Sequence, residues 1–292
     1  MVHIPVMVRE VLDALKPIKG KVILDATLGG GGHSKALLDE AKGDITLIGI
    51  DRDPEALEIA SKVLSDYADK VILVHSLFSD MEDIVRKKGF EYVDRILFDL
   101  GVSSFALDSP KRGFGFTTCG PLDMRMDRTR GEPASKLINE ISEYELAKII
   151  WEFGEDRFAK RIAKAIVKER KKSPITTTTR LAEIVARAVP HSPKSRIHPA
   201  TRTFQALRIA VNRELDQLRE GLKAAHAVLR PGGRVCVISF HSLEDRIVKK
   251  TFKKLFKPIY AKPITPSRDE IKKNRRARSA KLRVAEKVED LS

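Results

Sequence analysis

Three aspartates, Asp25, Asp51 and Asp99, each close a short apolar run, and four glycines, Gly29–Gly32, follow the first of them. A carboxylate at a strand end can accept bonds from paired hydroxyls or sit against a cation. Glycines placed just after a strand let the backbone approach a ligand closely. His33 follows the glycines directly, and Phe78 ends a third apolar run, where its ring can lie against a flat heterocycle. Each residue alone has an ordinary reading as well. The glycines can be a flexible turn, Asp51 can cap the next helix, and His33 can simply fill the turn. Their joint placement is what points to a ligand.

The positioning elements are legible. Apolar runs at Lys21–Thr27, Ile45–Asp51, Val71–Phe78 and Arg95–Val102 read as strands, and helices are expected between them. Runs with little polar alternation fit strands buried on both faces of a parallel, doubly wound sheet. Such sheets bind ligands beyond the carboxyl ends of their strands, where the strand order reverses. A dinucleotide would need glycines at G-x-G-x-x-G. Counting from Gly29 the third position falls on Ser34, and counting from Gly30 it falls on Lys35. S-adenosylmethionine has no pyrophosphate and does not need that spacing, so it suits the loop better.

After Val102 the alternation stops. A loop over 103–129 precedes three helical stretches, the first capped by Ser142 with Glu145 completing a capping box, the others at Glu155–Lys172 and Arg180–Val189. One long helix over Thr203–Leu229 is expected next, then a fifth strand, Arg234–Phe240, a helix, and a basic tail from Lys257 with an edge strand at Leu282–Val288. The expected fold is therefore α/β, with residues 1–104 and 206–292 forming the ligand-binding domain. Residues 105–205 form an all-helical insertion.

Carbon methylation of cytosine needs a thiol nucleophile. Cys236 sits mid-strand, and Cys119 has no neighbouring histidine to activate it, so carbon is disfavoured. An exocyclic amine needs acceptors for its protons, and Asp99, Ser103 and His241 supply them, although His241 can equally be an ordinary loop histidine. Arg112, Phe114 and Phe116 offer a cation and two aromatics on one loop, as a platform for a flipped base or as a loop anchored by buried rings. Lys194, Arg196, His198, Arg202 and Arg208 cluster further on. Arg275, Arg276 and Arg278 lie in the densest basic run, read as a phosphate contact over a merely solvated tail.

Composition agrees with a polyanion partner. Lys and Arg number 55 against 40 Asp and Glu, a net charge of +15. At 42% hydrophobic and 33% charged, the chain can fill a core, which excludes disorder as its main state. No apolar run spans a bilayer, no signal-peptide profile opens the chain, and two cysteines make no disulfide framework, so a cytoplasmic protein is expected. Few Gln and Asn among many charges resembles thermophile usage. No metal is expected, and oligomeric state stays open.

The motifs DATLGGGGH, DLGVSS, RGFGF, PLDMRMD, HPATRTFQALRIAVN, LRPGGR, ISFHSLEDRIVK and RARSAKLR follow one another over nearly the whole chain. In this order and spacing the chain resembles the bacterial 16S ribosomal RNA cytosine-N4 methyltransferases. The resemblance implies a Rossmann-like class I methyltransferase sheet with an inserted helical domain. It also implies S-adenosylmethionine as donor, and as substrate a cytidine in the decoding region of 16S rRNA or the small ribosomal subunit. By position, Gly31, Gly32, His33, Asp51, Phe78 and Asp99 match the family's cofactor residues. Where the family carries S-S-P-Q this chain has Ser103-Ser104-Phe105-Ala106, which leaves Ala106 a backbone contact with the cofactor. Two other readings stand beside this one. They are a DNA amino-methyltransferase, which runs the same chemistry, and a non-catalytic RNA-binding protein that binds the cofactor.

Overall fold

The computed structural model describes residues 5–190 and 198–289. In chain order the first elements are α1 (Val8–Leu15), β1 (Lys21–Asp25), α2 (Gly32–Ala41), β2 (Ile45–Asp51), α3 (Pro54–Val63), β3 (Val71–His75), α4 (Met81–Lys87) and β4 (Val93–Asp99). The chain then forms α5 (Ser104–Asp108), α6 (Ala134–Glu140), α7 (Glu143–Gly154), α8 (Ala159–Arg170), α9 (Thr178–Ala188) and α10 (Ala200–Asn212). It ends with α11 (Glu214–Val228), β5 (Leu229–Ser239), α12 (Ser242–Leu255), β6 (Lys257–Pro258), α13 (Arg268–Lys273) and β7 (Lys281–Glu286). Two compact units result: Met1–Ser103 with Leu215–Ser292, and Ser104–Glu214.

Unit one is built on a seven-stranded sheet of order β3-β2-β1-β4-β5-β7-β6. The first five strands are parallel, and β7 runs antiparallel between β5 and β6. The order reverses between β1 and β4. Residue alternation buries both faces, as an enclosed parallel sheet requires. Leu24, Ile96, Phe98 and Val237 pack under α4, α11 and α12, whereas Ile23, Leu97, Cys236 and Ile238 pack under α1 and α2. Asp25, Asp51 and Asp99 are the last residues of β1, β2 and β4, so one sheet edge carries all three.

The C-terminal segment departs from the expected tail. β7 pairs along β5 from Arg234↔Glu286 to Ser239↔Lys281, and the short β6 takes the sheet edge. Leu282, Val284 and Ala285 are buried, and that apolar burial holds the strand inside the sheet.

In unit two, α7 begins at the expected capping box. The Ser142 hydroxyl accepts from Glu145 N at 3.1 Å, and Glu145 Oε2 accepts from Ser142 N at 3.1 Å. Leu146, Ile150, Ile162, Ile166, Leu181, Val185 and Leu207 fill a core among α7, α8, α9 and α10. The single helix expected over 203–229 is two helices. Arg213 adopts φ 49° and caps α10, and α11 begins at the next residue. The second unit therefore reaches Glu214, beyond the expected boundary at 205.

Candidate functional site

The carboxyl edge of the unit-one sheet gathers the glycine turn and the three strand-end acids. Asp51 Oδ2 accepts from Gly29 N at 2.7 Å and its Oδ1 accepts from Asp53 N at 2.8 Å. One carboxylate thus fixes both the glycine turn and the start of α3, and each oxygen keeps a second lone pair. Gly31 caps α2 at φ 79°, and a Cβ there would press on Ala60 and Leu64 at 3.4 Å, so both conformation and space call for glycine. Burial pushes the Asp51 carboxyl up to about 6.

Asp25 is tied by Ser34 Oγ at 2.7 Å and by Thr27 N at 3.2 Å, and burial raises its carboxyl to about 6. Thr27 Oγ1 accepts the backbone N–H of Asp99, stitching β1 to β4 at the point where strand order reverses. His33 Nε2 lies 2.8 Å from the Val6 carbonyl, which requires the proton on that nitrogen. Its Nδ1 is 3.5 Å from Asp99 Oδ2. Burial pulls the His33 pKa down, while burial and the negative Glu244 push Asp99 up to about 7. The proton between them therefore rests on Asp99 until the pH approaches neutrality. Asp99 Oδ1 is buried and has no hydrogen-bond partner among the described residues.

Phe78 lies just beyond β3 and meets Phe98 edge-on at 5.5 Å between centroids. A Cβ on Gly221 of α11 would overlap the Phe78 ring. Gly221→Ala is expected to cost about 1–3 kcal/mol by overpacking, offset by roughly 1 kcal/mol of helix propensity. It should also turn the ring and weaken ligand binding. Urea melts and calorimetry check this, and lost stability with unchanged ligand affinity would remove Phe78 from the site.

His241 is the N-cap of α12. Its Nδ1 accepts from Glu244 N at 3.4 Å, and its Nε2 lies 3.1 Å from Glu244 Oε1. Glu244 Oε2 in turn accepts from Phe240 N at 2.8 Å. The histidine expected as a catalytic helper also has a structural task as a helix cap, and Glu244 adds to burial in raising Asp99. Ser103 is half-buried at the end of unit one, and Ala106 is buried within α5 of unit two.

Among the expected RNA residues, Arg112 and Phe114 are corrected. Arg112 is only 2% exposed, and its guanidinium donates to the carbonyls of Met126 at 2.8 Å and Arg125 at 3.2 Å. Phe114 is buried, and a Cβ on Gly113 at φ 73° would overlap the Pro121 carbonyl oxygen. Buried carbonyls need donors, so this cation anchors its loop from inside. Phe116 packs against Phe204 and His198, each at 4.8 Å. Arg202 is exposed and donates to the Glu155 carbonyl at 2.7 Å, whereas Arg208 is held by Glu214 at 2.9 Å. Lys194 and Arg196 lie outside the described residues. Arg275, Arg276 and Arg278 are exposed on a short 3-10 turn pinned by the fully buried Ala277.

Sequence reasoning passed over Thr27, Ser34, Gly221 and the Val6 carbonyl. Only the alternation of Asp25 with Thr27 carried a signal for any of them.

An α/β sheet with acid-tipped strands around a glycine turn that lacks dinucleotide spacing defines an S-adenosylmethionine-dependent methyltransferase. The residues fit that cofactor. Asp51 keeps lone pairs for hydroxyls, and the partnerless Asp99 Oδ1 can take an ammonium or amine proton. The profile of the MraW methylase family matches residues 1–288. Ribosomal RNA small subunit methyltransferase H of Thermotoga neapolitana is 51% identical over 294 residues, covering 99% of this chain and 97% of the relative. The protein of the same name from Carboxydothermus hydrogenoformans is 47% identical over 306 residues, covering 98% of each, and that of Trichlorobacter lovleyi is 48% identical over 307. The chain belongs to the MraW methylase family.

Proposed function

We propose that the chain methylates the N4 amine of a cytidine in the decoding region of small-subunit ribosomal RNA, in the cytoplasm. The observation that carries this reading is Asp99. It is a strand-end carboxyl with one buried, partnerless oxygen and a proton affinity near neutrality. The names of the relatives support ribosomal RNA as the substrate over DNA. Carbon chemistry is disfavoured because burial pushes the Cys236 thiol up to about 12, leaving no thiolate in the sheet.

Bound S-adenosylmethionine supplies an electrophilic methyl group on a sulfonium. Asp99 orients the amine by accepting one N–H, and it can take the proton released when the carbon–nitrogen bond forms. His33, held by the Val6 carbonyl, turns Nδ1 toward Asp99 Oδ2 at 3.5 Å, where it can accept the carboxyl proton while Asp99 is neutral. Asp51 holds the glycine turn open for the donor's hydroxyls. The exposed arginines at 275, 276 and 278 carry phosphate contact.

The test is methyl transfer from labelled S-adenosylmethionine to 30S subunits, free 16S rRNA or duplex DNA, followed by nucleoside identification. N4-methylcytidine in ribosomal RNA is expected. Label in duplex DNA alone would overturn the reading, and label nowhere would favour a binder without turnover. No helix among the described residues is long and apolar enough to cross a membrane.

A further inference from the structure

Several helix surfaces in this protein pair their cations. Lys35 meets Asp39 at 2.7 Å, Lys62 meets Glu58 at 3.1 Å, Arg86 meets Glu82 at 2.7 Å and Lys136 meets Glu132 at 3.0 Å, all one turn apart. α8 carries an unpaired row instead. Lys160, Lys164 and Lys168 recur every four residues with Arg161 beside them, and none has an ion-pair partner among the described residues. They occupy the side opposite Ile162, Ala163 and Ile166, which face the core. Like charges at this spacing repel and weaken a helix. α12 carries a comparable row at Lys249, Lys250, Lys253 and Lys254 with no ion-pair partner among the described residues, and the α8 face is likewise uniformly positive.

The preceding helix carries a second anomaly. On α7, Tyr144 is 79% exposed and Trp151 is 60% exposed, the two most exposed large hydrophobic residues described. With Lys148 they stand at i, i+4 and i+7, one stripe away from the buried Leu146 and Ile150. Neither ring has a hydrogen bond or ring partner among the described residues.

We propose that the α7–α8 hairpin is a binding site for unpaired RNA, separate from the cofactor edge, in which Tyr144 and Trp151 stack on bases and the α8 cations neutralise phosphates. Stacking rings on one helix and an unpaired cationic row on the helix packed against it are the two parts of a single-strand site. Charge complementarity selects the occupant: the uniformly positive α8 face suits a polyanion. The inference deepens the RNA-methyltransferase reading and rests on it only for the identity of the polyanion.

The chain has one tryptophan, so intrinsic tryptophan emission reports α7 alone. Titration of the full chain with a labelled oligouridylate, following both RNA anisotropy and Trp151 emission, should show quenching that tracks binding. The variant carrying Lys160→Gln, Arg161→Gln, Lys164→Gln and Lys168→Gln should bind at least about tenfold more weakly, with a salt slope lower by roughly 0.7 for each phosphate it no longer neutralises. Its melting temperature should not fall, because the repulsions are removed. Trp151→Ala should weaken binding and leave the salt slope unchanged. Full binding with unaltered emission, or an unaltered salt slope in the quadruple variant, overturns the site. So does binding of duplex RNA only, or emission that depends on protein concentration without RNA. With 30S subunits the quadruple variant should raise KM and keep kcat. If wild-type protein transfers no methyl group yet oligouridylate still quenches Trp151, the proposed reaction fails and the site stands.

Discussion

Replacing Asp99 with asparagine is expected to lower kcat for methyl transfer by about 10²- to 10⁴-fold, with the fold intact. Asparagine keeps the shape but cannot take a proton, and its amide presents donors where the substrate amine also presents donors. The pH profile separates this from a simple loss of packing. Asp99 acts when ionised, and its carboxyl is pushed up to about 7 by burial and by Glu244. In the wild type, kcat/KM should therefore rise about tenfold per pH unit below 7 and level off above it, since that ratio reports the free enzyme. Asp99→Asn should remove the inflection near 7 and leave a weaker one near 6 from Asp25 and Asp51. An unchanged inflection in the variant would assign the titration to another group. A second variant, His33→Gln, keeps an acceptor near Asp99 and can lose activity by misplacing it, with the inflection retained.

Asp51→Ala should raise the dissociation constant for S-adenosylmethionine by at least about 100-fold, which at about 1.4 kcal/mol per decade is near 3 kcal/mol. Two losses coincide. The ligand loses its hydroxyl acceptor, and Gly29 N and Asp53 N lose the oxygens that shape the turn. Calorimetry measures the first effect directly, and an unchanged constant would refute the assignment. Thermal melts give the second readout: ligand at 100 times its dissociation constant adds about 2.7 kcal/mol to the wild type and should add almost nothing to the variant. The pH dependence has a definite sign. Asp25, Asp51 and Asp99 all have folded pKa values raised above 3.8, so the folded state holds more protons than the unfolded state as pH climbs. Their contribution to ligand-free stability therefore falls between about pH 4 and pH 7. A cationic ligand favours the ionised acids, so its stabilising shift in Tm should grow across the same window.

Most of the unit-one core was legible from sequence for a physical reason. Buried parallel strands need uninterrupted apolar runs, and their ends are marked by the polar residues that face the ligand edge. Asp25, Asp51 and Asp99 all fall where that rule puts them. The Ser142 capping box was legible because it is local. Three kinds of feature were not. Arg112 reads as a surface cation, because nothing in the sequence tells that the carbonyls of Arg125 and Met126 would need a buried donor. β7 reads as an edge strand within a basic run, since its neighbour β5 lies more than forty residues earlier. The helix break at Arg213 carries no glycine or proline, and only its left-handed backbone reveals it. Local chemistry is written in sequence, whereas long-range pairing is not.

β7 has a further consequence, in the order of synthesis. The sheet of unit one is interrupted by the whole of unit two, and it receives the strand between β5 and β6 only when residues 281–286 have been made. Unit two has its complete set of helices by residue 214, so during vectorial synthesis it can close while the sheet of unit one is still short of three strands. The apolar edge of β5 stays uncovered until β7 emerges. The helical unit is therefore positioned to fold first, and the cofactor-binding half is finished last.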